Sequence, residues 1–320
     1  MSNQNMEAVT ALKMLSSDMT NRAQSGHPGI ALDAAPMAYT LYEKVMNFNP
    51  EDPQWMNRDR FVLSSGHASA LLYSLLYFNH FDLSIDDLKE FRQLGSKTPG
   101  HPEYGVTAGV DATTGPLSQG IAMAVGMAMA EKHLAAVYNK PGYPVIDHYT
   151  YTLLGDGDLM EGLSEEAINI AGQHHLGKLI VLYDSNDVSL DGPLSFSTSE
   201  DVKQRLEAAG WDYQIVKDGN NDLAGIQVAL ENAKTSDKPS IIEVKTTIGI
   251  GTKEAGTNKI HGAALTDDQV AQLRDYYQWN YAPFVFPESV YETFDKAVDQ
   301  KISNYDQWQS MMKDYQTNYP

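Results

Sequence analysis

The chain has 320 residues and no cysteine, and its 23 lysines and arginines against 42 aspartates and glutamates give a formal net charge of −19. Apolar residues make up 42% of the chain, which is enough for a substantial core and excludes disorder throughout. The missing cysteines exclude disulfides, thiolate metal sites and cysteine nucleophiles, and the negative charge argues against a nucleic-acid or acidic-membrane partner.

The first half of the chain predicts helices separated by loops. Residues 1–48 are predicted to be helical with a break at 25–29. A short buried strand is predicted at 60–64, and a helix is predicted to follow it. Residues 95–118 are rich in glycine, proline and threonine and therefore predict a loop. An apolar helix is predicted from about 119 to 138.

Strands and helices alternate from residue 149 onward. Strands are predicted at 149–154, 179–183, 211–216 and 241–245, with a helix N-capped by Ser164 and another over 223–233. This alternation predicts an α/β fold, with a parallel sheet flanked by helices on both faces. The polar tail 288–319 shows little apolar stripe, so we expect it to leave the main fold. The predicted organisation is one domain over 1–281 and a linker or arm over 282–320.

No export signal or membrane span is predicted. The first seven residues lack a basic region followed by an apolar stretch. The longest run of small and apolar residues, 121–130, is too short to cross a bilayer. Together with the absence of cysteine, these features predict a cytoplasmic protein without a membrane partner.

Polar residues follow two of the predicted strands: Gly155-Asp156-Gly157 follows one, and Asn186 follows the next. Ligands of parallel sheets gather at the carboxyl ends of strands, and sequential strands are often neighbours, so we expect Asp156 and Asn186 to lie together. One carboxylate and one amide oxygen bind Mg²⁺ weakly, and its other ligands usually come from phosphate and water. The pair therefore predicts a diphosphate ligand, although Asp-Gly is also a common turn dipeptide.

Four of the nine histidines stand next to a glycine, namely His27, His67, His101 and His261. Imidazoles on glycine-containing loops are poor core residues and good site residues, because they exchange protons near neutral pH. For each histidine taken alone, a hydrogen-bonded loop residue is the alternative interpretation. As a group they predict an active site.

Together these features resemble transketolase, and the resemblance runs in order from near Ala8 to the C-terminus. The segments that carry it are SGHPG at 25–29, DRFVLSSGH at 59–67, TPGHPE at 98–103, TTGPLSQG at 113–120 and IHGA at 260–263. Three positions depart from the family pattern: Ser118 stands where glycine is usual, Asn258 where histidine is common and Ala264 where proline is common.

The resemblance covers about the first half of a typical transketolase. It implies the thiamine-diphosphate-binding fold, with this chain as the diphosphate-binding domain and the pyrimidine-binding domain missing. We therefore expect an N-terminal subunit of a split enzyme or, as the linker-like tail favours, a piece of a longer chain. The isolated chain is expected to be inactive and to bind the cofactor weakly.

The resemblance also implies which residues hold the cofactor. Asp156, Asn186 and the backbone carbonyl of Val188 would bind Mg²⁺ or Ca²⁺ on the diphosphate. The residues implied to contact thiamine diphosphate itself are His67, Gly115, Leu117, Gly157, Asn186, Leu190 and His261.

The implied catalytic residues are His27, His67, His101 and His261. All of these histidines except His67 would contact substrate hydroxyls and assist proton transfer. Glu161 and Glu166 would join a carboxylate network at the interface of a homodimer.

The implied reaction moves a two-carbon ketol unit from a ketose phosphate to an aldose phosphate in the pentose phosphate pathway. One alternative is another thiamine enzyme, such as dihydroxyacetone synthase or a dehydrogenase component, against which the His101-Pro102-Glu103 segment argues. The other alternative is a catalytically silent assembly or regulatory module. The intact Asp156, Asn186, His67 and His261 argue against that alternative.

Overall fold

A five-stranded parallel sheet forms the centre of the computed structural model, which describes residues 3–320. The strands are β1 (Arg60–Leu63), β2 (Thr150–Gly155), β3 (Leu179–Ser185), β4 (Val188–Ser189), β5 (Gly192–Pro193), β6 (Asp212–Val216) and β7 (Ser240–Lys245). Their order across the main sheet is β1-β2-β3-β7-β6, with every neighbour parallel, and β4 and β5 form a separate antiparallel hairpin. The predicted α/β class is therefore confirmed.

Helices connect the strands and cover the sheet. They are α1 (Asn3–Ala23), α2 (Pro28–Asp33), α3 (Ala35–Thr40), α4 (Ser69–Phe78), α5 (Ile85–Lys89), α6 (Gln119–Tyr138), α7 (Asp156–Leu159), α8 (Gly162–Gln173), α9 (Val202–Ala208), α10 (Leu223–Ala233), α11 (Asp267–Tyr276) and α12 (Glu288–Asn318). Proline in the first turn of α2 and of α3 divides the N-terminal helical region into shorter pieces. The N-cap predicted for α8 is wrong: Glu161 occupies that position, because the Ser164 hydroxyl instead donates to the Asp158 carbonyl at 2.5 Å.

Side chains along each strand alternate between two hydrophobic cores, one on each face of the sheet. On β2, Tyr151 and Leu153 pack into the first core and Leu154 into the second. The first core also contains residues of α1, α4, α10 and α12, and the second contains residues of α6 and α8. Because both faces are covered, every residue of β3 is buried, as is usual for a parallel sheet.

Helix α6 spans 20 residues and so is longer than the run at 121–130 that it contains, and Glu131, Lys132 and His133 follow that run. Among residues 3–320, it is the one helix that is long and apolar enough to cross a membrane by length and composition alone. Its residues Ile121, Ala124, Val125 and Ala128 are buried in the second core. Packing against the sheet accounts for an apolar face here, and the absence of a membrane partner stays a prediction.

Helix α12 packs along the domain instead of leaving it. Val290, Phe294 and Val298 recur every four residues and are buried, and Phe294 stacks on Phe78 with ring centroids 4.8 Å apart. Further along the helix, the Trp308 indole N–H donates to a backbone carbonyl at residue 145 at 3.0 Å. The expectation that this segment leaves the main fold is wrong over 288–318, because a narrow apolar stripe on one side is sufficient for docking. The domain boundary at residue 281 stays a prediction.

Candidate active site

The carboxyl ends of β1, β2 and β3 meet at one edge of the sheet, beside a cavity of about 440 Å³. Gly155, the last residue of β2, lies opposite Asp184 in β3, so Asp156 and Asn186 both follow at the same edge. Polar groups collect here because the helices that cover the two faces leave the strand ends open.

Twelve of the thirteen residues singled out in the sequence line this cavity. They are His27, His67, His101, Gly115, Leu117, Asp156, Gly157, Glu161, Asn186, Val188, Leu190 and His261. Glu166 does not line the cavity but is exposed on α8. The structure therefore brings the predicted set together, except for one member of the predicted glutamate network.

The Asp156 carboxylate lies at the floor of the cavity and is 5% exposed. One of its oxygens accepts a hydrogen bond from the Tyr183 hydroxyl, and the other accepts from the Asp187 backbone N–H at 3.1 Å. Burial raises the pKa of Asp156 to about 6, because the carboxylate loses water. A bound cation would stabilise the charged form of this carboxylate. Carboxylate oxygens at the cavity are ligands that a divalent metal such as Mg²⁺ prefers, so Asp156 fits a metal site.

The Asn186 side chain is held on both sides. Its Nδ2 donates to the Asp184 carboxylate at 2.9 Å and to the Asp33 carboxylate at 3.2 Å, while its Oδ1 accepts from the Val188 N–H at 3.1 Å. Burial raises the pKa of Asp184 to about 7 and also raises the pKa of Asp33. Asp33 lies 153 residues before Asn186, and no sequence pattern pointed to it.

The four histidines form one cluster above these polar groups. The His27 ring centroid lies 5.0 Å from that of His67, 6.1 Å from that of His261 and 6.4 Å from that of His101. His67 and His261 are 5.3 Å apart. Within the described chain, the His261 Nδ1 is buried and has no hydrogen-bond partner, as expected of a group that awaits a ligand.

The surroundings of all four imidazoles favour the neutral ring. Burial is the largest cause: it lowers the pKa of His27 to about 4, and it also lowers the pKa values of His67, His101 and His261. A neutral imidazole carries one N–H donor and one free nitrogen, so each ring can both donate and accept a hydrogen bond. This arrangement suits binding and proton transfer at sugar hydroxyls.

Arg92 is a site residue that the sequence did not indicate. Its guanidinium donates to the Ser25 hydroxyl at 2.9 Å and lies 3.4 Å from the Nδ1 of His27. Because arginine only donates, the Nδ1 of His27 accepts and its proton is on Nε2. The positive charge of Arg92 is also a secondary cause of the lowered pKa values of His27 and His101.

Replacing Arg92 with methionine is expected to raise the pKa of His27 from about 4 toward its ordinary value. The change removes a nearby positive charge and so favours the imidazolium, although burial continues to oppose it. NMR titration of the His27 ring protons measures the shift. Arg22→Met, which removes an exposed arginine that binds the Lys89 carbonyl, is the matched control. An unchanged His27 pKa would contradict the prediction.

Asp158 holds the site loops together and was also missed by the sequence analysis. It is 1% exposed, and its carboxylate accepts from the Ser64 and Ser65 hydroxyls at 2.6 Å each. The same carboxylate accepts from the backbone N–H groups of Ser118 at 2.9 Å and Gly155 at 3.1 Å. It thereby joins the ends of β1 and β2 to the start of α6.

The backbone of the loops beside Asp158 has two features that depend on glycine or on a glycine-like conformation. Ser118 has a left-handed backbone, with φ of 70°, which explains why glycine is usual in the family pattern at this position. A Cβ atom on Gly66 would lie 2.7 Å from the backbone nitrogen of Gly115, so only glycine fits there. The loop with His67 and the loop with Gly115 and Leu117 are therefore in backbone contact.

The fold and the site together define a thiamine-diphosphate-binding domain. A family model described as "Transketolase, thiamine diphosphate binding domain" matches residues 4–320. The chain therefore belongs to the transketolase family.

Curated relatives and solved structures agree with this assignment. The chain is 56% identical to the transketolase of Bacillus subtilis and 55% identical to that of Geobacillus stearothermophilus, over 98% of its own length and 48% and 47% of theirs. It matches a structure of Pichia stipitis transketolase in complex with sedoheptulose-7-phosphate at 44% identity and a TM-score of 0.98, covering 100% of this chain and 47% of that one. The chain thus spans about half the length of the relatives it matches. These matches support transketolase over the other thiamine enzymes and the silent module.

Proposed function

We propose that this chain binds the diphosphate of thiamine diphosphate through a divalent cation, Mg²⁺ or Ca²⁺. Asp156, Asn186 and the backbone carbonyl of Val188 supply protein oxygens to the cation, and Gly157 donates its backbone N–H to the diphosphate. The observation that carries the proposal is the placement of Asp156 and Asn186 at adjacent strand ends below four histidines. The net charge of −19 does not oppose this binding, because the cation screens the diphosphate from the acidic chain.

The proposed reaction is transfer of a two-carbon ketol unit between sugar phosphates, a step of the pentose phosphate pathway. Thiamine diphosphate, when bound, supplies the electron sink that ketol cleavage requires. His27, His101 and His261 bind substrate hydroxyls and move protons there, and His67 with His261 reaches the diphosphate side. The supporting observations are that burial lowers the pKa of all four rings and that the rings lie together.

The cofactor contacts are completed from the cavity wall. Gly115 and Leu117 lie on the loop before α6, and Leu190 lies on the β4–β5 hairpin at 62% exposure, so its side chain is free to pack against a ligand. The exposed Glu161 and Glu166 join a carboxylate network at a homodimer interface.

A further protein half completes the active site, either in a continuing chain or in a partner. This part of the proposal rests on the matched relatives, which are about twice as long as this chain. That second half provides the pyrimidine-binding domain and the cationic side chains that bind the sugar phosphate, so the isolated chain is inactive. The complete enzyme acts in the cytoplasm. Large apolar side chains are exposed on α6 and α8, which suits an interface with that half or with a second copy: Met123, Met129, Leu163 and Ile170.

Reconstitution tests this function. The chain is mixed with the C-terminal half of the Bacillus subtilis transketolase, thiamine diphosphate and Mg²⁺, and ketol transfer from a ketose phosphate to an aldose phosphate is measured. We expect transfer in the mixture and none with either half alone. If the two halves elute together without any transfer, the proposed activity is wrong. Rapid transfer by the isolated chain would contradict the need for a second half.

A further inference from the structure

We propose that Asp33 and Asp184 are positioning residues that fix the Asn186 side chain with its carbonyl oxygen toward the cation. This inference rests on the proposed function, because the cation belongs to it. Neither aspartate was identified in the sequence, and neither is proposed as a metal ligand. Among residues 3–320, no group of three or more acidic or histidine side chains is arranged to hold a metal.

The hydrogen bonds determine the orientation of the amide. Both N–H groups of the Asn186 Nδ2 are used, one toward Asp184 at 2.9 Å and one toward Asp33 at 3.2 Å. The planar amide therefore directs Oδ1 to the opposite side, where the Val188 N–H occupies one of its two lone pairs. The second lone pair is left for a cation.

The reverse orientation is disfavoured on both sides. A flipped amide would place Oδ1 against two carboxylate oxygens, and its Nδ2 would face the Val188 N–H and the cation. With the aspartates ionised, the amide oxygen would face negative charge on one side, and the amide N–H groups would face a donor and a positive charge on the other, which is costly in a largely dry environment. Asparagine alone has no such preference, since its two ends have nearly the same shape.

The two aspartates are themselves held by other elements. Both are fully buried, Asp33 at the end of α2 and Asp184 on β3. The Thr246 hydroxyl, just after β7, donates to Asp184 at 2.5 Å and lies 3.5 Å from Asp33. Burial raises the pKa of Asp33, and the positive charge of the buried Lys13 partly counteracts that increase. Asp33 from α2 and Asp184 from β3 thus contact the amide directly, and Thr246 after β7 holds Asp184 in place.

A double-mutant cycle tests the positioning role at pH 8 in the reconstituted mixture with saturating thiamine diphosphate. Calorimetric titration with Mg²⁺ compares Asp184→Asn, Asn186→Asp and the double variant. Asp184→Asn is expected to weaken Mg²⁺ binding about 10- to 100-fold, as is typical for residues that orient a metal ligand. In the double variant, the new amide at 184 donates to the new carboxylate at 186, and Thr246 keeps its acceptor. Adding the binding free energies lost in the two single variants gives the Mg²⁺ affinity expected without coupling. We expect the double variant to bind Mg²⁺ at least about tenfold more tightly than that.

Strictly additive effects would overturn the inference, since a merely structural role gives no such rescue. Asp33→Asn should act in the same direction as Asp184→Asn, and it carries the test if Asp184→Asn fails to fold, as judged by thermal unfolding without cation. Asp299→Asn, an exposed change of the same kind on α12, should leave the Mg²⁺ affinity unchanged. If the parent mixture itself does not bind Mg²⁺, the proposed function fails. If the parent binds and all variants bind alike, only the positioning role fails.

Discussion

Replacing Asp156 with alanine is expected to weaken the Mg²⁺-dependent binding of thiamine diphosphate by more than about 100-fold. That loss is larger than is typical for residues that only hydrogen-bond to a metal ligand. The change removes the one carboxylate among the three proposed protein ligands, and an amide and a carbonyl alone hold Mg²⁺ poorly. Calorimetry of the reconstituted mixture, with and without Mg²⁺, measures the effect.

Because burial raises the pKa of Asp156 to about 6, the Mg²⁺ affinity of the parent should also fall as the pH is lowered from 7 to 5.

The control for Asp156→Ala is Asp306→Ala, which removes an exposed carboxylate from α12. It carries the same change in charge and should bind the cofactor like the parent. The unfolding midpoint of Asp156→Ala without Mg²⁺ shows whether the domain is still folded. A folded Asp156→Ala chain that binds thiamine diphosphate as tightly as the parent would remove Asp156 from the cation site.

Replacing Asp158 with alanine is expected to lower the free energy of unfolding by about 4 kcal/mol, since unpaired buried groups cost roughly 1–3 kcal/mol each and are not additive. The change leaves the hydroxyls of Ser64 and Ser65 and the N–H groups of Ser118 and Gly155 without their acceptor. Urea unfolding of the chain without cofactor measures the loss. Binding of thiamine diphosphate should weaken as well, because Asp158 joins the loops that carry the proposed cofactor contacts.

Asp299→Ala on α12 is the matched control and should change the unfolding free energy by less than about 0.5 kcal/mol, as is usual for an exposed position. Asp158→Asn should be less damaging than Asp158→Ala, because one oxygen can still accept. A loss below about 1 kcal/mol for Asp158→Ala would show that the four hydrogen bonds do not organise the site.

The parts of the fold that were predicted well depend on local patterns. The apolar strands before Asp156 and Asn186 could be placed because each is a short run bounded by turn residues. Parallel pairing then follows from the helices between them. The N-terminal region and α12 were predicted less well. Proline positions divided the former, and the latter docks on the domain through only a few apolar residues.

The candidate site divides in the same way. Asp156, Asn186 and the four histidines could be selected from the sequence because each stands beside a glycine or directly after a strand. Arg92 and Asp33 stand in no such pattern, and Asp158 follows Gly157 but nothing there separates it from an ordinary turn residue. Their importance depends on which side chains they reach, and those lie 65, 94 and 153 residues away.

The sequence by itself determined the family, the α/β class and the residue types that line the cavity, because these depend on motifs and on their order along the chain. Only the tertiary structure decided how those residues are oriented. A parallel sheet brings the ends of distant strands to one edge, and there the buried carboxylates and a guanidinium fix the Asn186 amide, the His27 ring and the loops. Hydrogen bonds are short and directional, so they depend on positions in space that separation along the chain does not specify.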